Sequence, residues 1–415
     1  MASEHKRKPQ EDQEGPTEPK KTCNPNDDNN IFVNFPGNYI RRLANICEHS
    51  ICHSGVDPIN VLKLRPLVFM RCNAADSTPF SEAYCKVSQL RDRTNNKRQV
   101  FGSIFRKGLD ILLGYCKNRT IPDDPQERLV LEKLLRYLVN EEIQSPLLGL
   151  AELEDTDLSI VLTNHLFGQL SLTPKHVIDK NSAGKKTKCP CSQSCGMPCN
   201  FGDTSIGNEE VWHGNLDVII NHDVVLSNPL IDESDSPGKA SGEVKASILP
   251  RNNQTIAQSV VFSFLQKQSH PGKHALCPCI GVARNDLIIY FYDSEYDVLL
   301  ESSLIPLRPD SGITPHTKLS TTAIIVSWLV MNHRFLCSGL PEDLKSNAAA
   351  EFFEQANGKL EVYRGSLRLG NVESLSYAYS DDSDEEVETP AYLSDVRSEF
   401  YAISRASLNN RYQYS

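Results

Sequence analysis

Trp212-His213-Gly214-Asn215-Leu216-Asp217 runs straight into Val218-Ile219-Ile220, and the order continues through Gly242-Glu243-Val244-Lys245 to Gln258. Val211 to Ile220 and Asp223 to Leu226 read as a β-hairpin with Asn221-His222 at its turn. Gly242 to Leu249 reads as a third strand. Asn252 to Gln268 reads as an amphipathic helix, with Ile256, Ala257, Val260, Val261 and Phe264 on its buried stripe. Gln258 falls at the edge of that stripe, and Phe262 follows one turn later on the same ridge. Leu276 to Val282 and Leu287 to Asp293 add two strands, the second rich in β-formers. Strands alternating with a helix in this way predict an α/β core.

The residue types in this order suit phosphodiester cleavage. That reaction needs a divalent ion to hold the scissile phosphate and lower the pKa of an attacking water. Magnesium and manganese prefer oxygen ligands, which Asp217 and Glu243 can supply from neighbouring strands. The period of two puts Glu243 and Lys245 on one face and leaves the Val244 carbonyl as a further ligand. Lys245 can orient the water and stabilise developing negative charge. Glu-x-Lys alone carries little weight, because Glu18-Pro19-Lys20 has the same spacing. The joint order of Gly-x-x-Asp, Glu-x-Lys and a helical glutamine carries the reading. The alternative is an ordinary α/β domain in which Asp217 closes a turn and Glu243 pairs with Lys245 at the surface.

This order resembles the PD-(D/E)XK nuclease superfamily and, within it, the RecB-like branch, with its G-x-x-D, D/E-x-K and Q-x-x-x-Y signature. The resemblance implies a restriction-endonuclease-like core, a mixed sheet flanked by helices. It makes Asp217 and Glu243 the metal-binding acids, Lys245 the catalytic lysine and Gln258 the helix glutamine. Phe262 stands where the tyrosine is usual, so a hydroxyl is missing there. The family often carries an acid or histidine on a preceding helix, for which His165 and His213 are candidates. The chain also resembles uncharacterised invertebrate proteins with the same Trp-His-Gly and Glu-Val-Lys landmarks, a likeness that supplies no function.

Outward from this core the chain changes character. Residues 1–30 are polar and charged, which predicts a disordered tail. Its Lys6-Arg7-Lys8 and Lys20-Lys21 clusters suit a nuclear import signal or a solubilising tail. Residues 31–172 read as mainly helical, most clearly at Arg128 to Ile143 and Asp157 to Leu170, with Asp155 or Thr156 as cap. Arg91 to Arg98 is a basic loop that suits phosphate contact or plain solvation. Residues 173–205 form a Cys-rich loop, and 206–357 hold the nuclease-like core with C-terminal helices at Ser320 to Leu336 and Glu342 to Ala356. Residues 358–415 are expected to be a mostly disordered acidic tail; Ser380 and Ser383 there suit an acid-directed kinase.

Cys189, Cys191, Cys195 and Cys199 are spaced C-x-C-x3-C-x3-C with Pro190, Gly196 and Pro198 between them. Four thiolates this close can complete a tetrahedral zinc site, and a reduced loop without metal is the plain alternative. Some RecB-like nucleases carry iron–sulfur clusters, but their cysteines flank the nuclease core, whereas these all precede Asp217. Zinc is therefore preferred. Cys277-Pro278-Cys279 is either a pair of buried strand cysteines or an extension of that metal site.

The 415 residues carry a formal charge of -10, so no global basic field announces nucleic acid, and any positive surface must be local. Thirteen cysteines without a signal-peptide core point to reduced thiols and an intracellular protein. Thr322 to Met331 is the most apolar run, far short of the roughly 18 residues that span a bilayer. The expectation is an Mg2+- or Mn2+-dependent deoxyribonuclease of the nucleus with a structural zinc loop. The alternative is a catalytically inactive nuclease-fold protein that binds nucleic acid or acts as a scaffold.

Overall fold

A computed structural model describes residues 30–52, 61–90, 99–147, 150, 153–182, 186–227, 253–270, 276–283, 285–308 and 319–370. Among these the strands are β1 (Leu64–Cys72), β2 (Thr78–Pro79), β3 (Cys85–Gln89), β4 (His176–Asp179), β5 (Phe201–Gly202), β6 (Ser205–Gly207) and β7 (Trp212–Asn215). They continue with β8 (Val218–Ile220), β9 (Val224–Ser227), β10 (Cys277–Val282), β11 (Asp286–Asp293), β12 (Val298–Ser302), β13 (Ile305–Pro306) and β14 (Arg368–Leu369). The large mixed sheet runs β3-β1-β12-β11-β10-β9-β8-β4-β5, with β13 alongside β11, and a smaller sheet runs β14-β6-β7-β2. The fold is α/β, with mixed sheets flanked by helices.

The large sheet is apolar on both faces, because each is covered. Val218 and Ile220 of β8, Val224 and Leu226 of β9, and Leu287, Ile289 and Phe291 of β11 pack into one core. Their alternates Ile219, Val225, Tyr290 and Tyr292 pack into the other. Helices Arg106–Asn118, Pro125–Val139, Asp155–Leu162 and Thr321–Met331 fill the first side. The helix Asn253–Ser269 and the small sheet fill the second. Sheets sandwiched this way read as near-continuous hydrophobic runs. Thr321–Met331 is buried along almost its whole circumference, as an all-apolar helix must be. No helix among the described residues is long and apolar enough to cross a membrane.

The β8–β9 hairpin turns where expected. Asn221 and His222 both adopt positive φ inside a turn closed by Asp223 N–H to the Ile220 carbonyl at 3.1 Å. From β9 the chain crosses through the helix Asn253–Ser269 to β10, which lies parallel to β9. Leu276 to Val282 and Leu287 to Asp293 are strands, as read.

Other expectations need correction. The stretch read as mainly helical contains β1, β2 and β3, and β1 is central to the large sheet, paired with both β3 and β12. Val211 to Ile220 is not one strand: β7 lies in the small sheet and β8 in the large one. The helix over 155–170 starts at Asp155 with Glu154 at its cap and no side-chain cap bond. Ser320 to Leu336 divides at Asn332, whose Nδ2 donates to the Leu170 and Trp328 carbonyls. Glu342 to Ala356 divides into Glu342–Asn347 and Phe352–Ala356, with Glu351 at positive φ. Residues 1–29, Arg91 to Arg98, the strand expected at Gly242 to Leu249, and Ser380 and Ser383 lie outside the described residues.

Asp223, next to the hairpin turn, has a pH consequence. It is 5% exposed, pairs with the Arg334 guanidinium through Oδ2, and its Oδ1 has no hydrogen-bond partner. Burial pushes its carboxyl up to about 7, against the pull of Arg334. A folded-state pKa above the unfolded one contributes stability below about pH 4 that is lost as pH rises towards 7. Asp223→Asn removes that loss. In urea titrations the variant should gain on the wild type across this window by up to about 4 kcal/mol. Parallel pH profiles would show that Asp223 ionises normally.

Candidate functional site

Two groups of side chains carry chemistry, one on each side of β4. The first forms where the chain passes from the small sheet to the large one. β7 ends at Asn215, β8 begins at Val218, and Leu216 and Asp217 make the step. Gly214 has φ of +137°, a conformation L side chains rarely adopt, which accounts for the glycine of Gly-x-x-Asp. Thr204 fixes the step: its Oγ1 donates to the Leu216 carbonyl at 2.6 Å and its carbonyl accepts from Leu216 N at 3.2 Å. By strand alternation Asp217 shares the face of Ile219, beneath the helix Asn253–Ser269. Its charge reaches Cys279 on that face, whose thiol is raised first by burial and then by Asp217.

Gln258 projects from that helix and is fully buried. Its Nε2 donates to the Asn215 carbonyl at 3.2 Å, two residues before Asp217, while its Oε1 has no partner. Phe262 is also buried, so the position of the missing tyrosine belongs to the core. Glu243, Val244 and Lys245 lie outside the described residues. The points where their segment leaves and returns are described. The β8–β9 register, extended by one residue, sets Asp217 opposite Ser227, and Ser227 Oγ lies 3.1 Å from Thr255 Oγ1 at the start of the helix.

Sequence reasoning missed Asp179. Its N–H donates to the Asp217 carbonyl at 2.9 Å, and its Oδ1 accepts from Asn215 Nδ2 at 2.8 Å. Residues opposed across an antiparallel pair have Cβ atoms about 4.5–5.5 Å apart, so two acids share this corner. His176-Val-Ile-Asp179 is a short β-forming run ending in an acid, and that was the available signal.

The second group lies against the first core. The helix that begins at Asp155 opens into a π-helical turn at Thr163–Phe167, closed by Gly168 N–H to the Thr163 carbonyl. A Cβ at Gly168 would stand 2.8 Å from that carbonyl oxygen, so only glycine closes the turn without displacement. His165 Nε2 lies 3.4 Å from Cys189 Sγ and 3.4 Å from Cys195 Sγ. With Cys191 these make a group whose ligand atoms all lie within 4.8 Å of one another. His165, Cys189, Cys191 and Cys195 could therefore hold a metal ion such as zinc. Cys199 is not in the group, contrary to the four-cysteine expectation.

The loop that presents these sulfurs folds back on itself. Cys189 N–H donates to the Met197 carbonyl at 2.8 Å, Cys199 N–H to the Thr187 carbonyl at 3.1 Å, and Cys195 N–H to Cys191 Sγ at 3.4 Å. Burial pushes the Cys191 thiol up, but the Cys195 and Gln193 N–H groups pull it down and the net shift is downward. Burial holds Cys189 and Cys195 up and lowers His165 to about 4, leaving its imidazole neutral. The buried Asn164 side chain, hydrogen-bonding to Cys189, favours ionisation of its thiol. None of the described cysteines is disulfide-bonded.

The remaining candidates separate from both groups. Cys277 and Cys279 are buried on the second face of the sheet, across from the Cys189 loop, so they do not extend its site. His213 lies in β7 with Nδ1 at 2.8 Å from the Val211 carbonyl. Comparison with family models, curated proteins and solved structures returned no match.

Proposed function

We propose that the chain is a nuclease-like protein that hydrolyses phosphodiester bonds, DNA being the substrate class, on a PD-(D/E)XK core of the RecB-like kind. The observation that carries this reading is convergence at one corner of the sheet. Asp217, Gln258 and both ends of the segment bearing Glu243 and Lys245 meet there. The donor set fits Mg2+ or Mn2+: Asp217 and Glu243 carboxylates with the Val244 carbonyl are hard oxygen ligands. When bound, such an ion supplies charge to hold the phosphate and to acidify a water. Lys245 would orient that water, and Gln258 would steady the Asn215–Asp217 step. The His165–Cys195 group is assigned structural zinc, since four protein ligands leave no open coordination position.

Incubating the purified full chain with Mg2+ or Mn2+ and single- or double-stranded DNA tests the activity. Metal-dependent cleavage is expected. Absence of cleavage with either ion, on DNA and RNA alike, would sink the enzymatic reading. A second reading is a catalytically inactive nuclease-fold protein that binds nucleic acid or acts as a scaffold. It is favoured by the Cys/His group, whose ligand atoms lie within 4.8 Å of one another and which can serve a structural role without catalysis.

A further inference from the structure

We propose that His165, and not Cys199, is the fourth ligand of a zinc-class ion held by Cys189, Cys191 and Cys195, and that the π-helical turn delivers it. This rests on the structural-zinc reading and specifies it. With metal–sulfur bonds of about 2.3 Å and a metal–nitrogen bond of about 2.05 Å, a tetrahedron sets nitrogen and sulfur about 3.6 Å apart and two sulfurs about 3.8 Å apart. The imidazole nitrogen stands at 3.4 Å from two of the sulfurs, and no pair in the group exceeds 4.8 Å. An ion placed at the centre needs only small shifts of side chains. Three thiolates and a neutral imidazole suit zinc over magnesium or calcium, which prefer oxygen.

The backbone explains why this histidine faces the loop. In an unbroken α-helix, residue 165 would follow Leu158 and Val161 on the core-facing stripe. The wider closure at Thr163–Phe167 takes one extra residue into the turn, and His165 sits within it with its Nε2 3.4 Å from two of the sulfurs. π-turns are uncommon and cluster at functional sites. Tyr137 steadies this one by donating its hydroxyl to the His165 carbonyl at 3.0 Å. Lys186 ties the loop to the same helix through Asp157 at 2.5 Å. The ion would thus be a clasp between the helix and the loop, beside the Lys186–Asp157 pair.

The test measures metal directly on the reduced full chain, by bound zinc after dialysis, chelator competition and the cobalt(II) absorption spectrum. The wild type should retain about one ion per chain and give a spectrum typical of three thiolates and one nitrogen. His165→Ala should weaken binding at least about 100-fold, since even groups one step removed from a metal cost about 10- to 100-fold. His165→Cys should keep the ion while the thiolate band grows by about one third, four sulfurs replacing three. That variant guards against a fold defect in the alanine one. Gly168→Ala should weaken binding with all four ligands present, and Cys199→Ser should leave binding and spectrum unchanged. Loss of the ion in Cys199→Ser with retention in His165→Ala would overturn the ligand assignment and leave the zinc reading standing. A wild type without stoichiometric metal would overturn both.

Discussion

Asp217→Asn is expected to lower Mg2+- or Mn2+-dependent DNA cleavage at least about 100-fold with little change in thermal stability. Hydrogen-bonding partners one step from a metal already cost about 10- to 100-fold when removed, and a carboxylate ligand should cost more. The fold should tolerate the change, because the substitution leaves intact the backbone bond by which the Asp217 carbonyl accepts from Asp179 N–H at 2.9 Å. Asparagine keeps the volume and removes the charge. Two controls bracket the result. Asp179→Asn, beside it, should reduce cleavage less if Asp179 serves mainly as an acceptor for Asn215. Gln258→Leu should lose activity through movement of Asn215, with a steeper dependence on metal concentration. Undiminished cleavage by Asp217→Asn would place the chemistry elsewhere.

Removal of metal from the His165 centre is expected to produce the second large effect, and a local one. β5 is an edge strand of two residues that enters the large sheet directly after the Cys loop. It holds to β4 through Ile178 N–H to the Asn200 carbonyl and Lys180 N–H to the Gly202 carbonyl, both at 2.8 Å. A strand this short has little independent stability. Free metal at a thousandfold excess over its dissociation constant contributes about 4 kcal/mol. Hydrogen exchange at Ile178, Lys180 and the loop amides should therefore speed up by as much as about a thousandfold on chelation, while β11 stays protected. Equal exchange with and without chelator would mean that the loop holds itself. Global unfolding is not expected, because aliphatic and aromatic side chains make up nearly all of the core on both sides of the sheet, with Cys189 and Cys191 the ligands that belong to it.

Much of the second half of the fold was legible because its signals are local. The Asn221-His222 turn, the apolar runs of β8 and β9, the stripe of the helix Asn253–Ser269 and the β-formers of β11 each announce themselves within a few residues. β1 did not. Its buried residues Leu67, Val68 and Phe69 are consecutive, and Pro66 stands in a strand bonded on both sides, where proline argues against a central position. Pairing with β3 on one side and with β12, far along the chain, on the other makes it a strand. The division between β7 and β8 was also missed, since the Gly214, Asn215 and Asp217 that mark it fit a bulge within one strand as well as a change of sheet. In the candidate site, the Asp217 and Gln258 positions were readable from motif order. Asp179 was not, because it arrives by register across β4 and β8. His165 was noticed only as a helix histidine of family type. Its partners lie in a loop that follows it in sequence, and the π-turn removes it from the helical period by which its direction would be judged.

The pairing of Leu64 with Ser302 sets a timetable for biosynthesis. At roughly 5–20 residues per second, the ribosome needs on the order of 10–50 s to make the 200 or more residues that separate β1 from its neighbour β12. During that interval Leu67 and Phe69 have no sheet to enter on that side, and β3 alone can shield them. Slower elongation past residue 72 lengthens that exposure. Synonymous codon choice, which leaves every contact described above intact, would still change the yield of folded protein.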